Sequence, residues 1–155
     1  GDKVLIRKIK GKNLYLKLES ESQGFSCAKG WYYKIYLNDN NKDPIGEIEL
    51  HPNDSSEYIA EGNIGYLIYP LYRGHGYAKE ASEVLLKYAY EYLRMKNIRV
   101  TMRPDNDISK HVAEGLGGTY IEYAKVPKNS KLYGTIEGVL VYNIDLESKK
   151  GKKLW

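Results

Sequence analysis

Between Pro70 and Ala78 the hydrophobic period of the chain changes, and this change limits the fold more than any other feature. Downstream, Ala81, Val84, Leu85, Tyr88, Ala89, Tyr92 and Leu93 recur at three and four residues while Glu83, Lys87 and Glu91 pair along another face, which predicts a helix from Ala78. Upstream the apolar residues alternate. Val4 to Ile9 and Leu14 to Leu18 read as strands, and Trp31 to Leu37 and Ile45 to Leu50 as a hairpin across the turn Asn38 to Pro44. Tyr58 to Ala60 and Asn63 to Tyr69 read as a strand region interrupted near Gly62 and stopped by Pro70, and Ser20 to Gly30 as a loop. After the helix, Ile98 to Met102 is strand-like and Asn106 to Leu116 is a short helix with Ile108, Val112 and Leu116 in one stripe, ended by Gly117 and Gly118. Thr119 to Ala124 and Val139 to Leu146 close the chain as strands. This order predicts an α/β fold, a mixed sheet with helices on its faces.

A chain of 155 residues is expected to form a single domain over 1–155. No apolar run approaches the roughly 20 residues that span a bilayer, and nothing near Gly1 has the apolar core of a signal peptide, so the expectation is a soluble, cytoplasmic protein. Cys27 is the only cysteine, which excludes an internal disulfide, and His51, His75 and His111 lack metal-ligand spacing, so no metal is expected. The net charge of +4 is mild and lies partly in Lys149 to Lys153, a weak signal for nucleic acid. Sixteen tyrosines against one phenylalanine are read as amphipathic sheet surface.

The change of period falls on Pro70-Leu71-Tyr72-Arg73-Gly74-His75-Gly76-Tyr77-Ala78, a glycine-containing turn opening onto a helix N-terminus. Glycines let a backbone approach an anion closely, the first helical N–H groups point at it, and the helix dipole adds about half a positive charge. Arg73 adds a fixed cation. A nucleotide P-loop is disfavoured because Tyr77 follows Gly76 where Lys is required, and a dinucleotide fingerprint because Lys79 stands where its third glycine would be.

Arg73-x-x-Gly76-x-Ala78 after Ile68-Tyr69-Pro70 resembles the acetyl-CoA motif of the GNAT superfamily, and Ile64 to Ile68 resembles its leading strand. Asn106-x-x-Ser109, with Val112, Leu116 and Gly117 following, is similar to the family's short second helix, especially in the branch that includes ribosomal-protein alanine N-acetyltransferases. The resemblance covers about Ile45 to Leu146. It implies a mostly antiparallel twisted sheet of about seven strands, with the helical region between the first and second strands shortened. It also implies an acetyl-CoA-dependent N-acetyltransferase acting on a primary amine, either a small molecule or a protein N-terminus, through a ternary complex. By resemblance, Arg73, Gly74, His75, Gly76, Tyr77 and Ala78 hold the pyrophosphate. The backbone of Leu67, Ile68 and Tyr69 holds the pantetheine arm, joined by Asn106, which also suits a helix N-cap.

Acetyl transfer needs a neutral nitrogen, a donor to the carbonyl oxygen and a proton for the departing thiolate. Many members place a tyrosine acid on the short helix; the matching position here is Ala113, which leaves Ser109 as the candidate. For the base, Glu61 is the first choice and Glu47 and Glu49 are alternatives, because Thr101 occupies the position where some members carry a glutamate. An α-amine with a pKa of about 7.7 to 8.0 can lose its proton to water, whereas a lysine near 10.4 makes a dedicated base more useful. The missing tyrosine motivates an alternative, a GNAT fold that binds acyl-CoA without catalysis. The strands near Val139 to Leu146 offer an edge for a homodimer.

Overall fold

The computed structural model describes residues 7–20, 30–40, 42–52 and 59–151. The loop expected from Ser20 to Gly30, its shortened helical region, Cys27, and the ends of the chain before Arg7 and after Gly151 lie outside the described residues apart from Ser20 and Gly30.

Five strands come first: β1 (Lys8–Lys10), β2 (Leu14–Ser20), β3 (Trp31–Leu37), β4 (Gly46–Leu50) and β5 (Ile64–Ile68). They form one sheet in sequence order, every neighbouring pair antiparallel. A 3-10 turn at Pro70–Tyr72 then leads into helix α1 (Tyr77–Leu93), followed by β6 (Asn97–Met102), α2 (Asp107–Gly115), β7 (Thr119–Lys125), β8 (Gly138–Asp145) and α3 (Leu146–Gly151). The last three strands form a second antiparallel sheet in the order β6-β8-β7. Ile59, Ala60 and Glu61 form a turn rather than the strand expected there, so Glu61 stands ahead of β5.

The alternation read in the sequence separates two faces. Leu14, Leu16, Tyr33, Ile35, Ile48, Leu50 and Ile64 are buried against Ala81, Leu85, Leu86, Tyr88 and Ala89 of α1, and Ile98, Val100, Leu116 and Ile144 extend this core beneath the second sheet. The opposite face of the first sheet carries Tyr15 and Tyr36, which stack with ring centroids 5.3 Å apart, and Lys8 Nζ lies 4.3 Å from the Tyr15 centroid. The stripe expected on α2 is partly displaced. Ile108 is 72% exposed, while Ala113 and Leu116 are buried in the core and Val112 packs against it.

Helix α1 is fixed at its start by Glu80, whose carboxylate accepts from both the backbone N–H and the side-chain amide of Asn13, 2.8 and 2.9 Å away. This pins the helix to the β1–β2 turn and sets the direction from which its N-terminus meets β5.

The two sheets meet at Asn63, just before β5. Asn63 is buried; its N–H donates to Arg99 O, its side-chain Oδ1 accepts from Arg99 N–H, and its side-chain amide donates to His51 O. Thr101 Oγ1 donates to Ala60 O at 2.8 Å beside it. Beyond this junction β5 and β6 share no ladder and belong to separate sheets.

Candidate active site

The gap between β5 and β6 is the centre of the site, and main-chain geometry makes it. His51 N–H donates to Asn63 O and Tyr69 N–H to Ile45 O, so by antiparallel alternation the odd-numbered residues of this segment bond to β4. Ile64, Tyr66 and Ile68 therefore direct their N–H and C=O groups away from β4, toward the gap. Of the three residues whose backbone was expected to receive a cofactor, Ile68 presents its main chain there, whereas the N–H of Tyr69 is committed to Ile45. The Leu67 backbone pairs with β4 in the same way, and its side chain is 42% exposed.

At the end of β5 the chain turns through Arg73, Gly74, His75 and Gly76 into α1. Gly74 and Gly76 have φ of 87° and 76°, a left-handed conformation that disfavours any residue with a Cβ, and a Cβ on either would meet nothing within 4 Å. No side chain caps the helix, and its internal ladder begins with Glu80 N–H to Gly76 O. The N–H groups of Tyr77, Ala78 and Lys79 thus precede the ladder, at an open surface. Arg73 Nε donates to Ile68 O at 2.9 Å, so part of the guanidinium ties the turn to β5 while the residue remains exposed. The His75 and Tyr77 rings lie 5.3 Å apart and border a second open recess shared with Lys12, Asn13 and Asn38.

Inside the gap lies an open cavity of about 350 Å³. Ile64, Gly65 and Tyr66 line it from β5, Val100, Thr101 and Met102 from β6, and Asn106 and Ser109 from α2. Leu132, Thr135 and Ile136 enclose it from the segment between β7 and β8. Asn106 caps α2, its side chain accepting from Ser109 N–H at 3.0 Å, and this bond brings Ser109 into the wall.

The three candidate carboxylates separate. Glu61 lines the cavity, its Oε1 accepting from Ser130 Oγ at 3.0 Å while Oε2 is buried with no hydrogen-bond partner among the described residues. Glu49 also lines it; it is 5% exposed, with His51 Nε2 at 3.3 Å from its Oε2. Glu47 does not. Its Oε2 is held by Lys34 Nζ at 2.7 Å and Tyr69 OH at 2.8 Å. Burial pushes this carboxyl up, yet the hydrogen bonds from Lys34, Tyr32 and Tyr69 outweigh burial and hold it below its ordinary value.

Two participants were not foreseen. Tyr66 lines the cavity beside Ser109; burial raises its phenol above the ordinary value, and the Ser109 hydroxyl offsets this in part. Gly65 allows the Glu49 side chain to lie across β5, since a Cβ there would come within 3.2 Å of Glu49 Oε1. The pairing Glu49↔Gly65 needs the strand register, but the lone glycine in an otherwise bulky strand was a signal of close approach. Ala113, at the position expected for a tyrosine, is fully buried in the core. Among the described residues no group of three or more His, Cys, Asp or Glu could hold a metal ion, and no helix is long and apolar enough to cross a membrane.

The family model described as "Acetyltransferase (GNAT) domain" matches residues 10–119. No curated protein matches the sequence. Among solved structures, an acetyltransferase of the GNAT family from Bacillus anthracis is 21% identical with a TM-score of 0.67, over 90% of this chain and 99% of that one. An acetyltransferase from Agrobacterium tumefaciens has the same identity and TM-score over 90% and 94% of the two chains. A ribosomal L7/L12 alpha-N-protein acetyltransferase in complex with coenzyme A is 15% identical with a TM-score of 0.65, over 89% and 97%. At these identities the structural likenesses establish the fold.

Proposed function

The chain belongs to the GNAT acetyltransferase domain family, and from that premise we propose that it transfers the acetyl group of acetyl-CoA to a primary amine by direct attack in a ternary complex. The observation that carries this reading is the unpaired edge of β5, which runs from a cavity holding two carboxylates to an uncapped helix N-terminus.

The residues present fit the cosubstrate. The N–H groups of Gly74, His75, Gly76, Tyr77 and Ala78, with the free part of the Arg73 guanidinium, suit a pyrophosphate, and the space above Gly74 and Gly76 is open to receive one. The groups of Tyr66 and Ile68 that face the gap suit the amides of an extended pantetheine arm, as an added strand would use them, and Asn106 stands across the gap. Acetyl-CoA supplies the activated carbonyl and departs as the free thiol.

The remaining roles fall to the chain. Glu61 Oε2 takes a proton from the acceptor ammonium and frees the nitrogen lone pair, which forms the N–C bond as the C–S bond breaks. A gap-facing N–H of β5 donates to the carbonyl oxygen as it gains charge. Ser109, beside the protonated Tyr66 phenol, relays to the departing sulfur the second proton that the nitrogen sheds, so its own hydroxyl is restored. A small amine and a protein N-terminus both remain acceptors at this level. The burial of Ala113 leaves α2 without a phenol, and this favours as second reading a fold that binds acyl-CoA without catalysis.

Thermal melting with and without acetyl-CoA, with NAD and ATP as controls, tests the cosubstrate; a ligand at a hundred times its Kd stabilises by about 2.7 kcal/mol. Arg73→Ala and Gly76→Glu are expected to abolish most of the shift, and unchanged binding in both would overturn the reading. Thiol release with a panel of amines separates catalysis from binding alone.

A further inference from the structure

Lysines stand directly opposite one another across three strands of the first sheet. Lys8 of β1 is paired with Lys17 of β2, and Lys17 with Lys34 of β3. Directly paired residues share a face, and Ile9 and Leu16 between them turn to the core, so the row lies on the face away from α1. Like charges placed opposite one another weaken a sheet. Lys34 is relieved by Glu47 at 2.7 Å, whereas Lys8 and Lys17 are exposed and form no ion pair among the described residues. Lys10, also exposed, adds a further charge opposite Tyr15. The other acids on this face do not balance the row: Glu49 is buried beside His51, and Glu19 is exposed beyond Leu18, where the β2–β3 register shifts. Lysines on β1 are understood as guards of an edge strand, but Lys17 and Lys34 belong to interior strands, where no edge needs guarding.

We propose that this face binds a single-stranded nucleic acid, with phosphates on Lys8, Lys10 and Lys17 and a base on the neighbouring tyrosines. Charge complementarity sets the sign of the partner, and the rings set its kind. Tyr15 and Tyr36 lie beside the lysine row and stack nearly parallel, 12° between planes. Lys8 Nζ sits over Tyr15, while Tyr36 has no further ring or cation contact among the described residues, which leaves its ring available to a base. An acidic peptide would satisfy the lysines and leave the rings unused, and a duplex offers no unstacked base. The sequence signal for nucleic acid lay in the tail from Lys149 to Lys153; the charges on this face are separated along the chain, and strand register alone brings them together. The surface is distinct from the cavity between β5 and β6, so the inference does not depend on acetyl transfer.

The test is fluorescence polarisation of a labelled oligouridylate of about 12 nucleotides, titrated with the full chain over a series of salt concentrations. Binding is expected, with the logarithm of the association constant falling against log salt at a slope of about −2, roughly 0.7 for each exposed lysine. Lys8→Gln with Lys17→Gln should weaken binding by about tenfold and flatten the slope to about −0.7. Tyr36→Leu should weaken it by about fivefold or more with the slope unchanged. Replacing Lys149, Lys150, Lys152 and Lys153 by glutamine is expected to leave binding within about twofold, and an oligoglutamate of equal charge should fail to displace the probe. Because Lys17→Gln relieves opposed charges, it should melt no lower than the wild type, and melting verifies that each variant folds. No binding at low salt, displacement by oligoglutamate, retention in the Lys8–Lys17 double variant, or an equal loss in the tail variant would overturn the inference.

Discussion

Glu47 and Glu49 stand two residues apart on one face of one strand, and their environments make them different groups. Lys34 is paired opposite Glu47, while Glu49 pairs on its other side with Gly65 and so reaches the cavity. A carboxyl held below its ordinary 4.5 stabilises the fold at pH values above the unfolded pKa, and that contribution disappears as pH falls through the folded one. Glu47→Gln should therefore melt lower than the wild type near neutrality, by roughly 1 to 3 kcal/mol for hydrogen bonds to a charged group, and the two melting curves should converge in acid. A constant difference down to about pH 3 would show that the Lys34–Tyr69 cluster stabilises through packing alone. The sequence placed both glutamates on a strand correctly, yet it could not divide their roles, because that division comes from pairing across two neighbouring strands. Glu61 was legible as a candidate but was placed at a strand start; Gly62, at φ 70°, breaks the segment and leaves Glu61 in the preceding turn.

At the level of elements, the strongly periodic segments were legible and the junctions between them were not. Helix α1 begins one residue before the expected Ala78, and the glycine-containing turn lies where the period changes. The short α2 was found at the right place, and of its expected stripe Val112 and Leu116 do pack against the core; Ile108 stays outside and Ala113 is buried instead. Nothing in the sequence marked Asn63 as the join between sheets, because an asparagine before a strand reads as turn chemistry. Its side chain serves two main-chain groups on different elements, His51 O and Arg99 N–H. Asn63→Ala leaves both buried without these partners and should cost about 2 to 4 kcal/mol in a denaturant titration. It should also weaken acetyl-CoA binding by changing the angle at which β6 leaves β5. Asn63→Asp would keep the acceptor for Arg99 N–H and lose the donor to His51 O, so it should fall between wild type and alanine. Full retention of stability in Asn63→Ala would mean that the surrounding core alone sets the junction.

For the whole molecule, the two sheets share one large core but not one strand ladder, so opening along the gap requires breaking few main-chain bonds. Acetyl-CoA lodged in the gap should therefore slow amide exchange at Tyr66 and Ile68, and on the facing side of β6, far more than in the distant β1–β2 hairpin. Protection confined to the first turn of α1 would mean that only the pyrophosphate is held. The sequence carried the fold class because strand and helix periods are local, while the split sheet is an absence of pairing that no residue type encodes. An unpaired strand edge is ordinarily a hazard, a template on which another chain can add itself and begin to aggregate. Here that edge is recessed behind β6 and α2. A slender flexible arm can enter, whereas a foreign β-strand with side chains on both faces is kept out, so this edge keeps its backbone donors and acceptors without serving as a template for fibrils.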